Sequence, residues 1–152
     1  MPDPTVIKAT DGYFYVYATE STRNVPIMKS KDLVEWTYCN TAFTNKTRPR
    51  FEPKAGIWAP DINYINGKYV LYYAMSVWGG EQTCGIGVAT ANSPQGPFTD
   101  HGKMFRSNEI GVQNSIDPSL LQYEGRNYLV WGSFRGIYAV SYTHLRAHET
   151  SQ

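Results

Sequence analysis

Two aspartates stand before prolines at the heads of similar segments, Asp3-Pro4-Thr5 and Asp117-Pro118-Ser119, and a third carboxylate occurs in reversed order in Pro60-Asp61-Ile62. Alone, Asp-Pro is an ordinary turn starter. Recurrence changes the weighting, because the aspartates are 58 and 56 residues apart and each opening leads through a Gly turn into an aromatic run. Carboxylates brought face to face raise one another's pKa. Such a pair suits glycosidic hydrolysis, in which one carboxyl protonates the leaving oxygen and the other activates water. Asp3 and Asp117 are therefore the candidate catalytic residues, expected to point into one axial cavity. The reversed order at Asp61 shifts its side chain by one residue, which in a strand turns it to the other face. Asp61 is expected to serve structure by bonding backbone at its opening.

Aromatic and polar side chains near these openings are candidate substrate contacts. Trp58 (IWAPD) divides evenly between core and sugar platform. Trp78 (SVWGG) lies beside two glycines on a loop, where ligand contact is the better account of a large ring. Asn114 precedes Asp117 and suits either sugar hydroxyls or an Asx-turn. Ser133 and Phe134 end an aromatic run and are placed to edge the pocket. No phosphate loop, dinucleotide fingerprint, zinc motif or Gly-x-Ser-x-Gly elbow occurs. His144 and His148 have chelating spacing only on a helix and lack further ligands, so no metal site is expected. Cys39 and Cys84 fit no metal or redox spacing and read as two buried thiols.

The elements needed to position these groups are strands. Tyr13 to Thr19 alternates, with Phe14, Val16 and Ala18 on one face and Tyr13, Tyr15 and Tyr17 on the other. Residues 68–76 form a continuous apolar run, as in a strand covered on both sides. In 84–91 (CGIGVATA) the glycines predict close backbone approach. Further strands are expected at 127–132 and from Gly136 to Ser141, with return strands at 38–43 and 102–105. Asp11-Gly12, Asn66-Gly67 and Glu124-Gly125 supply the hairpin turns. Residues 45–54 (NKTRPRFEPK) read as a polar excursion between units.

Strand units at this period indicate blades of a β-propeller. A closed propeller needs at least four blades, and 152 residues at this spacing supply fewer than three, so the chain reads as a piece of one. Residues 1–140 are expected to form the partial catalytic domain. The pattern breaks in 141–152 (SYTHLRAHETSQ), which resembles foreign adaptor-derived sequence and is set aside as a tail. A strand normally precedes the first motif, so the true start is also expected to be missing. The net charge is +1, with 18% charged residues and no basic cluster, so nucleic acid is not an expected partner. No stretch approaches a membrane-spanning length. Aromatics reach 14%, including 12 Tyr and 4 Trp, an excess suited to stacking on sugar faces.

At DPTVIKATDGYFYVYAT, GIWAPDINYINGKYVLYYAMSVWGG, GIGVATANSPQGPF, NSIDPSLL and YLVWGSFRGIY, the chain resembles glycoside hydrolase family 43, most closely its endo-acting α-1,5-L-arabinanases. NSIDPSL together with WGSF is the most specific part. The resemblance implies an all-β, five-bladed β-propeller, of which this chain holds the first two to three blades. It implies single-step inversion, with Asp3 as general base and Asp117 as the carboxylate that raises the acid's pKa. The two reacting carboxyls of such an enzyme stand about 6.5–9.5 Å apart. The acid itself is a glutamate of a later blade, which neither Glu124 nor Glu149 matches. The implied partner is plant cell-wall polysaccharide, arabinan or arabinoxylan, and the implied location of the intact protein is secreted or periplasmic. No cofactor is required, and calcium is admissible in the full-length enzyme near a histidine beyond this chain. The alternatives are an exo-acting arabinofuranosidase or xylosidase, or a non-catalytic sugar-binding propeller.

Overall fold

The computed structural model describes residues 1–142; His144, His148 and Glu149 lie outside them. Three antiparallel sheets follow one another along the chain. The first contains β1 (Thr5–Lys8), β2 (Phe14–Tyr17), β3 (Pro26–Ser30) and β4 (Thr37–Thr41) in sequential order. The second contains β5 (Gly56–Ile65), β6 (Lys68–Ser76), β7 (Gly85–Ala91) and β8 (Thr99–Arg106). A single helical turn, α1 (Ser107–Ile110), leads to the third, formed by β9 (Ser119–Tyr123), β10 (Arg126–Ser133) and β11 (Gly136–Tyr142). The first strands β1, β5 and β9 are neighbours in turn, so each sheet starts beside the next and the three are successive blades of a propeller. β11 continues through Ser141 and Tyr142, two residues into the segment set aside as a tail.

β6 shows why its run is apolar throughout. Tyr69, Leu71, Tyr73 and Met75 pack with Tyr15, Tyr17 and Ile27 of the first blade. The alternate residues Val70, Tyr72 and Ala74 pack with Leu129 and Trp131 of the third. The middle blade is thus buried on both faces, which removes the polar–apolar alternation of a half-exposed strand. Close approach at the glycines of β7 is also observed: a Cβ at Gly87 would stand 2.3 Å from the Tyr73 ring.

Two local readings change, and one strand appears that no pattern announced. Arg48, in the loop read as a polar excursion, is buried at 7% exposure and forms an ion pair with Glu20 at 2.8 Å. This pair anchors the loop between the first two blades. Cys39 is only half-buried, because it lies on the outermost strand of its blade, whereas Cys84 is buried; both are free thiols. β3 carries a proline and a lysine in only five residues, too short and mixed to show a strand period.

A repeated joint connects the blades. The Ile62 N–H donates to Thr5 Oγ1 (3.3 Å), and the Leu120 N–H donates to Asp61 Oδ2 (2.9 Å). Thr5 pairs with Tyr17, and Asp61 pairs with Tyr72, so the two acceptors occupy matched places in their blades. Asp61 has the structural duty expected of it, but the offset is two residues. The residue matching Asp3 and Asp117 in the middle blade is Ala59, and a register shift between Trp58 and Asp61 absorbs the difference.

Candidate active site

Each blade opens with a residue before proline in the left-handed region: φ is 48° at Asp3, 40° at Ala59 and 54° at Asp117. Non-glycine residues rarely adopt this conformation, and its recurrence marks a backbone hook that surrounding contacts must hold. At Asp117 the hook is held from behind. The Gly132 N–H donates to the Ile116 carbonyl (2.8 Å), and the buried Ser107 hydroxyl accepts the Ser115 N–H (2.8 Å). At Asp3 it is held by Thr19, two residues past β2: the Thr19 N–H donates to the Pro2 carbonyl (3.0 Å), and the Thr19 hydroxyl donates to Asp3 Oδ2 (2.6 Å).

Desolvation raises the Asp117 pKa first, and the negative charge of Asp3 raises it further. A charge at the head of the first blade thus acts on a carboxyl at the head of the third, the like-charge effect by which one group can tune another. Asp61 is also raised, by burial, but its oxygen is committed to Leu120 and to the Asn63 side chain (2.8 Å). Glu124 lies in the β9–β10 turn, at the other end of β9 from Asp117.

The candidate substrate contacts separate into two groups. Trp78 is 95% exposed on the loop after β6, and Phe134 is 79% exposed after β10. Both loops lie at the blade end that carries Asp3 and Asp117. Glu81 and Arg135 join them through an ion pair at 3.0 Å. Trp58 packs against the second core cluster, and its ring centroid is 5.5 Å from that of Trp78. Asn114 and Ser133 are instead turned toward each other. The Asn114 side-chain amide donates to the Ser133 hydroxyl, and Asn114 is buried at 8% exposure, so its amide serves the loop that carries Asp117.

Thr19 and the Glu20–Arg48 pair are site neighbours that motif reading did not single out. Thr19 was within reach of sequence: a hairpin pairing Thr5 with Tyr17, continued by two residues, sets Asp3 opposite Thr19. Arg48 carried no local signal, because its partner is 28 residues away in the chain. Among the described residues, no three His, Cys, Asp or Glu side chains gather as ligands for an ion.

The chain belongs to glycosyl hydrolases family 43, whose sequence profile it matches over residues 1–152. It is 38% identical over 140 residues to the extracellular endo-α-(1→5)-L-arabinanase 1 of Bacillus subtilis, a match covering 87% of this chain and 43% of that protein. Among solved structures it is similar to the Cellvibrio cellulosa α-L-arabinanase complexed with arabinohexaose, with a TM-score of 0.79 and 29% identity over 92% of this chain and 47% of the other. It is also similar to an exo-1,5-α-L-arabinanase from a bovine ruminal metagenomic library, with a TM-score of 0.76 and 32% identity over 92% of this chain and 49% of the other. The chain therefore spans about half the length of these relatives.

Proposed function

We propose that the protein to which this chain belongs hydrolyses α-1,5-linked L-arabinofuranosyl bonds in arabinan with inversion. The observation that carries this reading is the placement of Asp3 and Asp117 on matching left-handed hooks at the heads of two blades, where the charge of Asp3 adds to the desolvation that raises the Asp117 pKa. Asp3 takes the proton from the attacking water as general base. Asp117 keeps the general acid protonated by like-charge repulsion. The acid is a glutamate contributed from outside this chain, and it protonates the departing glycosidic oxygen. Trp78, Phe134 and the inner ring of Trp58 supply faces for successive sugars. Two outstanding rings on neighbouring loops suit a long ligand, as does the similarity to an endo-acting enzyme and to one complexed with arabinohexaose. These features favour internal cleavage of arabinan over release of single terminal sugars. The extracellular relative supports a secreted location.

The test is product analysis on linear α-1,5-arabinan. The full-length protein is expected to release arabino-oligosaccharides. The present chain, without the acid, is expected to stay at background, since loss of a general acid costs about 10²–10⁴-fold. Asp3→Ala and Asp117→Ala in the full-length protein should each lose at least about 10²-fold. Unchanged turnover in both variants would refute the site, and release of free arabinose alone would favour the exo-acting reading.

A further inference from the structure

We propose that Thr19 is a positioning residue for Asp3, fixing which carboxylate oxygen faces the attacking water. The inference deepens the arabinanase reading and rests on Asp3 as its general base. A threonine hydroxyl has one proton to give and lone pairs to accept with. Here the Ala59 N–H, 2.7 Å away, donates to Thr19 Oγ1, while Oγ1 lies 2.6 Å from Asp3 Oδ2. An ionised carboxylate only accepts, so the hydroxyl proton must point to Asp3, and the Ala59 N–H locks that direction from the other side. Among the described residues Asp3 Oδ1 accepts no hydrogen bond, which leaves it as the oxygen open to a water.

Thr19 is itself immobilised. Its N–H holds the Pro2 carbonyl (3.0 Å), the residue next to Asp3. The following residue, Glu20, donates its N–H to the Ile57 carbonyl (3.1 Å), and its carboxylate is gripped by Arg48 (2.8 Å) and by the Ile57 N–H (3.0 Å). The left-handed turn at Ala59, with φ 40°, aims the N–H that completes the lock. The base of the first blade is thus oriented by a hydroxyl whose own direction is set by the second blade. A base held by such a neighbour keeps reactive geometry at no cost at the moment of proton transfer, and misplacement of about 1 Å can cost 10²-fold.

The experiment compares Thr19→Val and Thr19→Ser in the full-length protein, with steady-state kinetics on linear α-1,5-arabinan and a crystal structure of each. Thr19→Val is expected to lose about 10- to 100-fold in kcat with KM within about twofold. Thr19→Ser should restore kcat to within about threefold of wild type, with the Asp3 carboxylate held as now and released in Thr19→Val. Wild-type kcat in Thr19→Val, or an equal loss in Thr19→Ser, would overturn the proposal. If Thr19→Val folds poorly, Thr19→Ala removes the same hydroxyl without a branched side chain, and the same outcomes decide. If the wild-type protein does not cleave arabinan, the functional reading falls, and the crystal structures judge Thr19 on their own. An Asp3 carboxylate unmoved in Thr19→Val then refutes the positioning role, and a displaced one supports it.

Discussion

Asp3 and Asp117 share a dipeptide and a left-handed hook, but their surroundings differ. Asp117 is raised by desolvation first and by the charge of Asp3 second. Asp3→Asn removes the second cause, so the Asp117 pKa should move down, read from a carboxyl-carbon NMR titration. The sign for stability follows. A carboxyl raised in the folded state binds its proton more tightly there than in the unfolded chain. Stability is then lost as pH rises from the unfolded pKa through the folded one, and the loss persists above it. Asp117→Asn, neutral throughout, should therefore gain stability relative to wild type as pH is raised from about 3 to about 7, measured by denaturant unfolding. The pair was visible in sequence because a repeated dipeptide announces matched positions. Asn114 stayed divided between sugar hydroxyls and an Asx-turn, because its bond to Ser133 is a contact between loops that no local pattern announces.

At the scale of elements, burial on both faces makes the middle blade the least tolerant of change. The Tyr73 ring that crowds Gly87 is fixed by its hydroxyl bond to Asp100 (2.6 Å) and cannot swing aside. Gly87→Ala should cost about 1–3 kcal/mol in a thermal or urea melt. Burial works against the charge of Glu20, but the Arg48 guanidinium and the N–H groups of Asn24 and Ile57 outweigh it and lower its pKa. That contribution is present above the unfolded pKa and is lost as pH falls through the folded one. Arg48→Met leaves the carboxylate buried without its partner and should cost about 3–5 kcal/mol near neutral pH, measured by urea unfolding. The contrast between β6 and β3 shows how far patterning reaches. β6 was readable because residues 69–75 hold one uninterrupted apolar character, while β3 offers five residues with a proline and a lysine among them. The loop around Arg48 misled because its polar composition conceals a partner in another blade.

Across the whole molecule, the outer blades each keep one apolar face uncovered. On the third blade, Leu121, Tyr123 and Ile137 are 55%, 62% and 69% exposed on the side away from the middle blade. On the first, Val6 and Tyr38 are 47% and 55% exposed. Faces of this kind, with open strand edges, drive association in water. This chain alone is expected to self-associate in size-exclusion chromatography with light scattering, and Leu121→Lys with Ile137→Lys should reduce it; a monodisperse wild-type monomer would contradict this. Propeller membership was readable because the period of the openings survives in sequence, whereas the matching of Ala59 to the two aspartates needed the backbone. The joints between blades also have a polarity. In both, the acceptor, Thr5 or Asp61, belongs to the earlier blade and the N–H, of Ile62 or Leu120, to the later one. During synthesis a newly emerging blade thus meets a docking oxygen already in place on the one before it, so the ring can grow in the order in which the ribosome delivers it.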